Sequence, residues 1–256
     1  MRFLRIAFQN FTFKMARAKP KETGERILKM ARQRLPEGFD VERHLRPRYD
    51  PWDQRLCLVP DDDLFRAISS GRADIVTGEI ERFDETGVVL GDGTHLAADI
   101  IVTATGLVVE MLGGAKACVE GRPVNLGETY TYRGMMFSGV PNLVATYGYS
   151  NASWTLRADL IAEWTCRLIN HMDARGYAAA RPVADRPMTP RPFIDLKSSY
   201  LTRAHAITPK QGDDPVCAPQ DYYADLKMIR KAPIEDGVLR FEKRRAPDAA
   251  MAGGAE

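Results

Sequence analysis

DIIVTATG, residues 99–106, decides the fold class. Its Ile100-Ile101-Val102 core is apolar without interruption, which predicts a strand buried on both faces, as in a parallel sheet. It closes on Ala104, Thr105 and Gly106, small residues that let a backbone approach a ligand closely. The same residue types also serve simply to turn a chain. A second unit of this kind is PNLVATYG, residues 141–148, which continues through YSNAS (149–153) into a predicted helix. That helix should run about six turns. Leu160, Trp164 and Leu168 lie on one of its faces, and Gly176 after Arg175 makes a stop. Strand, small-residue turn and helix in succession predict an α/β organisation.

Upstream, the period is that of short strands. Residues 74–77, 80–83, 88–90 and 94–97 read as strands broken by Glu85-Thr86-Gly87 and Gly91-Asp92-Gly93, a hairpin signal. Residues 1–35 read as helical. Leu4, Phe8, Phe11 and Met15 share one face, and Pro20 opens a second helix with Ile27, Leu28, Ala31 and Leu35 as its apolar positions. A short helix over residues 63–70 should end at Gly71. Residues 181–256 hold nine of the sixteen prolines, so an irregular wrap is expected there, with residues 222–230 helical. The end from Lys243 is low in apolar bulk and should be disordered.

Composition narrows the function classes. The 256 residues are 45% hydrophobic with a formal net charge of +2, values that demand neither nucleic acid nor an anionic membrane as partner. Four separated cysteines without a C-x-x-C pair favour a reduced, cytoplasmic setting, and four scattered histidines lack metal-site spacing. The first nineteen residues carry five basic side chains and no acidic one. A targeting segment, a membrane-surface helix or a helix packed within a larger protein would each look like this, and the packing helix is favoured. Arg5, Gln9 and Asn10 interrupt the apolar run, which excludes a transmembrane span there but not peripheral membrane contact.

Three features could carry chemistry. The turn at residues 104–106 is one. The start of the long helix is another: Ser150, Asn151 and Ser153 are available as caps, and its free N–H groups favour negative charge, although ordinary capping explains them equally well. The third is PWDQR, residues 51–55, where Asp53 could orient Arg55, a permanent cation suited to a developing anion. A surface Asp–Arg pair is the plainer reading. Cys57 is read as a buried thiol, and Trp154, Trp164 and Tyr177 as core.

Taken in order, LPEGFDVERHLRPRYDPWDQRLCLVPDDDLFRAISSG (35–71), ADIIVTATGL (98–107) and YRGMMFSGVPNLVATYGYSNASWTLRADL (132–160) resemble the rear half of flavin-containing monooxygenases of the Baeyer–Villiger type. The resemblance implies a partial two-dinucleotide-binding-domain flavoprotein fold, with an amino-terminal FAD-binding Rossmann portion lying before Met1. It implies that residues 1–105 are the later part of an NADPH-binding unit with a helical insert, that 106–220 complete the FAD unit, and that 221–256 are an extension. FAD, NADPH, O2 and a ketone or organosulfur substrate follow, with oxygen inserted through a C4a-peroxyflavin. Arg55 aligns with the family's active-site arginine. Gln54, Ala104, Thr105, Gly106, Asn151, Ala152, Ser153 and Trp154 would contact cofactor.

Two departures bear on activity. Related enzymes often carry lysine, reading the NADPH 2′-phosphate, where this chain has Gln54, so another residue must supply that charge. The sequence also contains no G-x-G-x-x-G, the turn that binds pyrophosphate by close backbone approach. Beside the enzyme stand two other expectations: an inactive fragment, or one half of a split flavoprotein that works only with a partner chain carrying the amino-terminal half.

Overall fold

The computed structural model describes residues 2–57, 59–213, 217 and 220–244. Secondary structure is mixed helix and strand, as the α/β reading expects. The chain divides into two compact units, one of Phe11–Val108 with Leu196–Tyr200, the other of Met1–Asn10, Val109–Asp195 and Leu201–Glu256.

The smaller unit carries most of the helices named from sequence. Helix α1, Arg2–Ala18, runs into it from the larger unit, and α2, Pro20–Arg32, begins on the proline, where a missing N–H costs nothing. Leu28 and Ala31 of α2 pack with Val41 of α3, Val41–Leu45, and with Leu35, Phe39 and Phe65 around them. Asp40 caps α3 by accepting from the Arg43 N–H at 3.0 Å. Helix α4, Asp63–Ser69, stops at Gly71 in the left-handed region. A meander follows: β1 Ile80–Asp84, β2 Gly87–Leu90 and β3 His95–Ala97, antiparallel in that order, with the expected turns between.

The larger unit adds short ribbons, β4 Cys118–Val119 with β5 Arg122–Pro123 and β6 Thr131–Tyr132 with β7 Met136–Phe137. Its centre is α5, Trp154–Arg175, which ends at Gly176 with φ 65°. Leu160, Trp164 and Leu168 are fully buried there against Met135, Met136 and Ile229. Strand β8, Tyr177–Pro182, follows that turn, and β9 is Arg191–Pro192. After α6, Ser199–Arg203, come β10 Lys210–Gln211 and α7 Tyr222–Lys231. The last strand, β11 Leu239–Lys243, pairs with β8, a pairing the sequence did not signal. Arg133, 2% exposed, bonds the Tyr132 hydroxyl, the Met228 carbonyl and Asp236, tying the β6–β7 turn to the segment after α7.

Several expectations fail. Neither residues 99–106 nor 141–148 form a strand, and every strand pairing among the described residues is antiparallel. A strand exists only through a neighbour's hydrogen bonds, and the described residues place none beside residues 99–106. Ile100 and Val102 are consequently 81% and 83% exposed. Residues 74–77 likewise form no strand. Leu4, Phe8 and Phe11 of α1 face outward, and its buried positions are Ile6 and Ala16. Lys243 closes β11 instead of opening a disordered tail. Residues 245–256 lie outside the described ones.

Candidate functional site

Loop residues 45–57 and the first turns of α2 enclose a cavity of about 740 Å³ in the smaller unit. Its local geometry begins with Pro51. The Asp53 N–H bonds the Asp50 carbonyl at 3.0 Å, closing a turn with proline at its second position and Trp52 at its third. Trp52 has φ 71°, a left-handed conformation that glycine normally supplies, and it holds there with its ring edge-on to Phe13 at 5.0 Å.

Gln54 and Arg55 both line this cavity. Arg55 is exposed and has no hydrogen bond or ion pair among the described residues. Asp53 does not orient it. The Asp53 carboxylate, 18% exposed, instead meets Lys197 Nζ at 3.1 Å and Arg17 at 3.6 Å, and its carbonyl accepts from the Lys197 N–H at 2.7 Å. The expected Asp53–Arg55 pair is therefore replaced by one that leaves the Arg55 charge uncompensated. Cys57 lines the cavity as an exposed thiol, not a buried one. Ala104, Thr105 and Gly106 belong to the same unit but do not line the cavity. They are exposed, and Gly106 has φ 126°, which a side chain would strain.

Asn151, Ala152, Ser153 and Trp154 belong to the larger unit. The long helix starts at Trp154 with Ser153 at its cap position, and the Asn151 side chain is bonded elsewhere. Its amide donates to the Gln220 carbonyl at 3.0 Å, while its own carbonyl accepts from Gln9. The Ser150 N–H and hydroxyl both reach Gln220 Oε1. Ser153 occupies the cap position, yet its hydroxyl meets Thr155 Oγ1 at 2.8 Å and makes no cap bond. No side chain thus caps the start of α5, whose partial positive charge remains available to a negative group. Trp154 is 54% exposed and not part of the core. Its indole covers Gly148 so closely that any Cβ there would overlap the ring. Gly148→Ala should therefore displace Trp154 and destabilise the larger unit by about 1–3 kcal/mol. Urea unfolding checks this, and a fully wild-type midpoint would refute the contact.

Just behind this turn is a buried triad the sequence did not announce. Tyr149 donates to Asp225 Oδ2 at 2.7 Å, and Arg157 Nε lies 3.3 Å from the same oxygen, with Arg157 and Asp225 both 0% exposed. Gln220 and Asp225 carried no sequence signal within a stretch expected to be an irregular wrap.

No family model matches the chain. It is 46% identical over 247 residues to the FAD-containing monooxygenase EthA of Mycolicibacterium smegmatis, covering 96% of this chain and 50% of that protein. Its identity to the EthA of Mycobacterium tuberculosis is 47%, covering 89% of this chain and 47% of the relative. The chain is a homologue of FAD-containing monooxygenases. A probable FAD-binding monooxygenase, AlmA of Acinetobacter baylyi, is 42% identical over 93% of this chain and 48% of its own length. The chain spans about half the length of the curated monooxygenases it matches.

An uncapped helix start suits an electron-rich ring edge, and an unpaired arginine in a cavity suits an anion. Among the described residues, no group of three or more His, Cys, Asp or Glu side chains could hold a metal, and no helix is long and apolar enough to cross a membrane.

Proposed function

We propose that this chain contributes to an FAD- and NADPH-dependent monooxygenase that inserts one oxygen atom of O2 into a ketone or an organosulfur compound, the second oxygen leaving as water. Bound FAD would supply the two-electron exchange with NADPH and the activation of O2. The observation that carries the reading is Arg55, a cation in a cavity of about 740 Å³ with no partner among the described residues. In such a place its charge is uncompensated and available to an anion. Ala104, Thr105 and Gly106 would let the backbone lie against FAD, and the open N–H groups after Ser153 would face its electron-rich edge, with Trp154 covering the turn. On this reading the chain holds the later parts of a two-dinucleotide-unit flavoprotein, with residues 1–105 on the NADPH side and 106–220 on the FAD side.

A second reading, that the polypeptide acts only together with a chain carrying the other half of its relatives' length, is favoured by one observation. Ile100, Val102 and Val108 are 81%, 83% and 93% exposed, in a run with the composition of a buried strand. An exposed apolar run of this kind is a candidate contact surface for a partner chain. Flavin absorbance tests both. The chain purified alone should show no near-stoichiometric flavin band, and mixing it with the other half should restore one. A stoichiometric band from the chain alone would overturn the split reading. Its absence after mixing would overturn the flavoprotein reading itself.

A further inference from the structure

Two buried arginines of the larger unit are served very differently. Arg133 spends its guanidinium on the Tyr132 hydroxyl, the Met228 carbonyl and Asp236, as a structural tie should. Arg157, 0% exposed, has Nε, Nη1 and Nη2 all buried without a hydrogen bond among the described residues. Its contacts are electrostatic: the Asp225 carboxylate 3.3 Å from Nε, and the Tyr149 ring, whose centroid lies 5.3 Å from Cζ. A buried cation favours the fold only when a counter-charge and hydrogen bonds both serve it, and here the bonds are missing. An apolar side chain of similar volume would suit stability better, so the charge at this position calls for another explanation.

Its place in the fold supplies one. Arg157 is the fourth residue of α5, about one turn in from Trp154. Its charge therefore lies behind the start whose N–H groups no side chain caps, and it has the same sign as that helix end. Asp225, on α7, opposes that charge, and the Tyr149 hydroxyl holds Asp225 Oδ2 at 2.7 Å. Burial removes the screening by water that would mute such a pair on a surface. The pair thus places one positive charge behind the α5 start when Asp225 is protonated, and none when it is ionised. Facing Asp225 are Arg157 from α5, Tyr149 from the turn and Asp221 at the cap of α7, with Tyr222 edge-on to Tyr149. Ile6 of α1 and Leu156 add only apolar atoms beside Tyr149. Burial pushes the Asp225 carboxyl up to about 6, which brings both charge states within reach of neutral pH.

We propose that Arg157 and Asp225 set how firmly the α5 start holds the negative edge of two-electron-reduced FAD, Arg157 strengthening the hold and Asp225 weakening it. Both are positioning residues that act through the helix start and do not touch the cofactor. The proposal rests on the monooxygenase reading, which supplies FAD at this helix start. It adds to that reading the residues that tune the balance between oxidised and reduced cofactor.

The test is the flavin midpoint potential of this chain assembled with the other half of its relatives' length and FAD, at about pH 8, where Asp225 is ionised. Asp225→Asn leaves Arg157 unopposed. It should favour reduced over oxidised FAD on the order of tenfold, a rise of about 30 mV for two electrons. Adding Arg157→Met removes both charges, and this double variant should return to the wild-type potential. Tyr149→Phe changes no charge and should leave the potential where it was. A merely structural triad predicts another order, with the double variant no closer to wild type than Asp225→Asn alone. That order, or an unchanged potential in Asp225→Asn, overturns the assignment. Should Asp225→Asn fail to fold, wild type against the double variant still decides. As pH falls through about 6 the wild-type potential should rise above that of the double variant, because Asp225 then takes up its proton. Coincident curves from about pH 5 to about pH 8 would overturn the assignment. FAD absorbance separates the two levels of the argument. FAD missing from the wild-type assembly sinks the flavoprotein reading and this inference with it, whereas FAD bound with the same potential in every variant sinks this inference alone.

Discussion

Arg55→Ala, in a preparation that contains this chain, the other half of its relatives' length and FAD, should lower oxygenated product by about two to three orders of magnitude. The expectation follows from where the charge stands. A guanidinium keeps its proton at any working pH, so its contribution is a fixed positive charge. Within the smaller unit that charge is not spent: Asp53, the nearest carboxylate in sequence, is held by Lys197 and Arg17. Removing Arg55 therefore breaks no bond among the described residues and should change stability by no more than about 0.5 kcal/mol, the range of ordinary surface substitutions. Activity and stability should separate cleanly. The informative measurement follows NADPH consumption, product and hydrogen peroxide together. If Arg55 stabilises the anion that attacks the substrate, NADPH should still be oxidised while electrons leave as hydrogen peroxide. Arg55→Lys should recover part of the product, since it restores charge without the planar fork. Undiminished product in Arg55→Ala would remove Arg55 from the mechanism. Loss of product with a shifted unfolding midpoint would make it a structural residue instead.

What the sequence disclosed divides along a physical line. Features set by nearby residues were legible. Pro20 opening α2, Gly71 after α4, Gly176 after α5 and the Gly87 and Gly93 turns all depend on local backbone preferences, and all stand where expected. Features that need a distant partner were not. Ile100-Ile101-Val102 has the composition of a buried strand, but composition cannot supply the neighbour that makes one, and among the described residues the run is exposed. The apolar face of α1 shows the same limit: periodicity reveals a face but not what covers it. Strand β8 escaped notice because YAAARP lacks the branched residues that mark strands, and its partner β11 follows some sixty residues later. At the candidate site, PWDQR drew attention to a loop that lines the cavity and to Arg55, yet suggested for Arg55 a partner, Asp53, that is held by Lys197 and Arg17. Nothing in the sequence alone separates a cation paired on the surface from one left unpaired in a cavity.

The buried triad near α5 gives the second large effect, and its sign is set by an incomplete shell. Asp225 receives the Tyr149 hydroxyl and faces Arg157 through Oδ2, while Oδ1 is buried with no hydrogen-bond partner. Burial therefore pushes its carboxyl up to about 6, with Asp221 adding to the rise, against the opposing pull of Arg157 and Tyr149. A group with a raised folded-state value binds more protons folded than unfolded. Between about pH 4 and pH 6 its contribution to stability must fall as pH rises, and above that range the loss is complete. A rise of this size corresponds to a change on the order of 3 kcal/mol. The raw profile will not show this alone, because Asp236 is held below its usual range and works in the opposite direction. For Asp236, burial resists the lowering, but Arg133, Tyr132 and two backbone N–H groups outweigh it. Asp225→Asn isolates the effect, since it keeps the shape and the bond to Tyr149 but cannot ionise. Relative to wild type, the variant should gain on the order of 3 kcal/mol between pH 4 and pH 7, measured by urea unfolding at each pH. Parallel profiles for the two proteins would show that Asp225 titrates normally and that the orphaned oxygen is solvated. A gain of the expected size would mean that α7 holds the Tyr149 turn most firmly when Asp225 carries its proton.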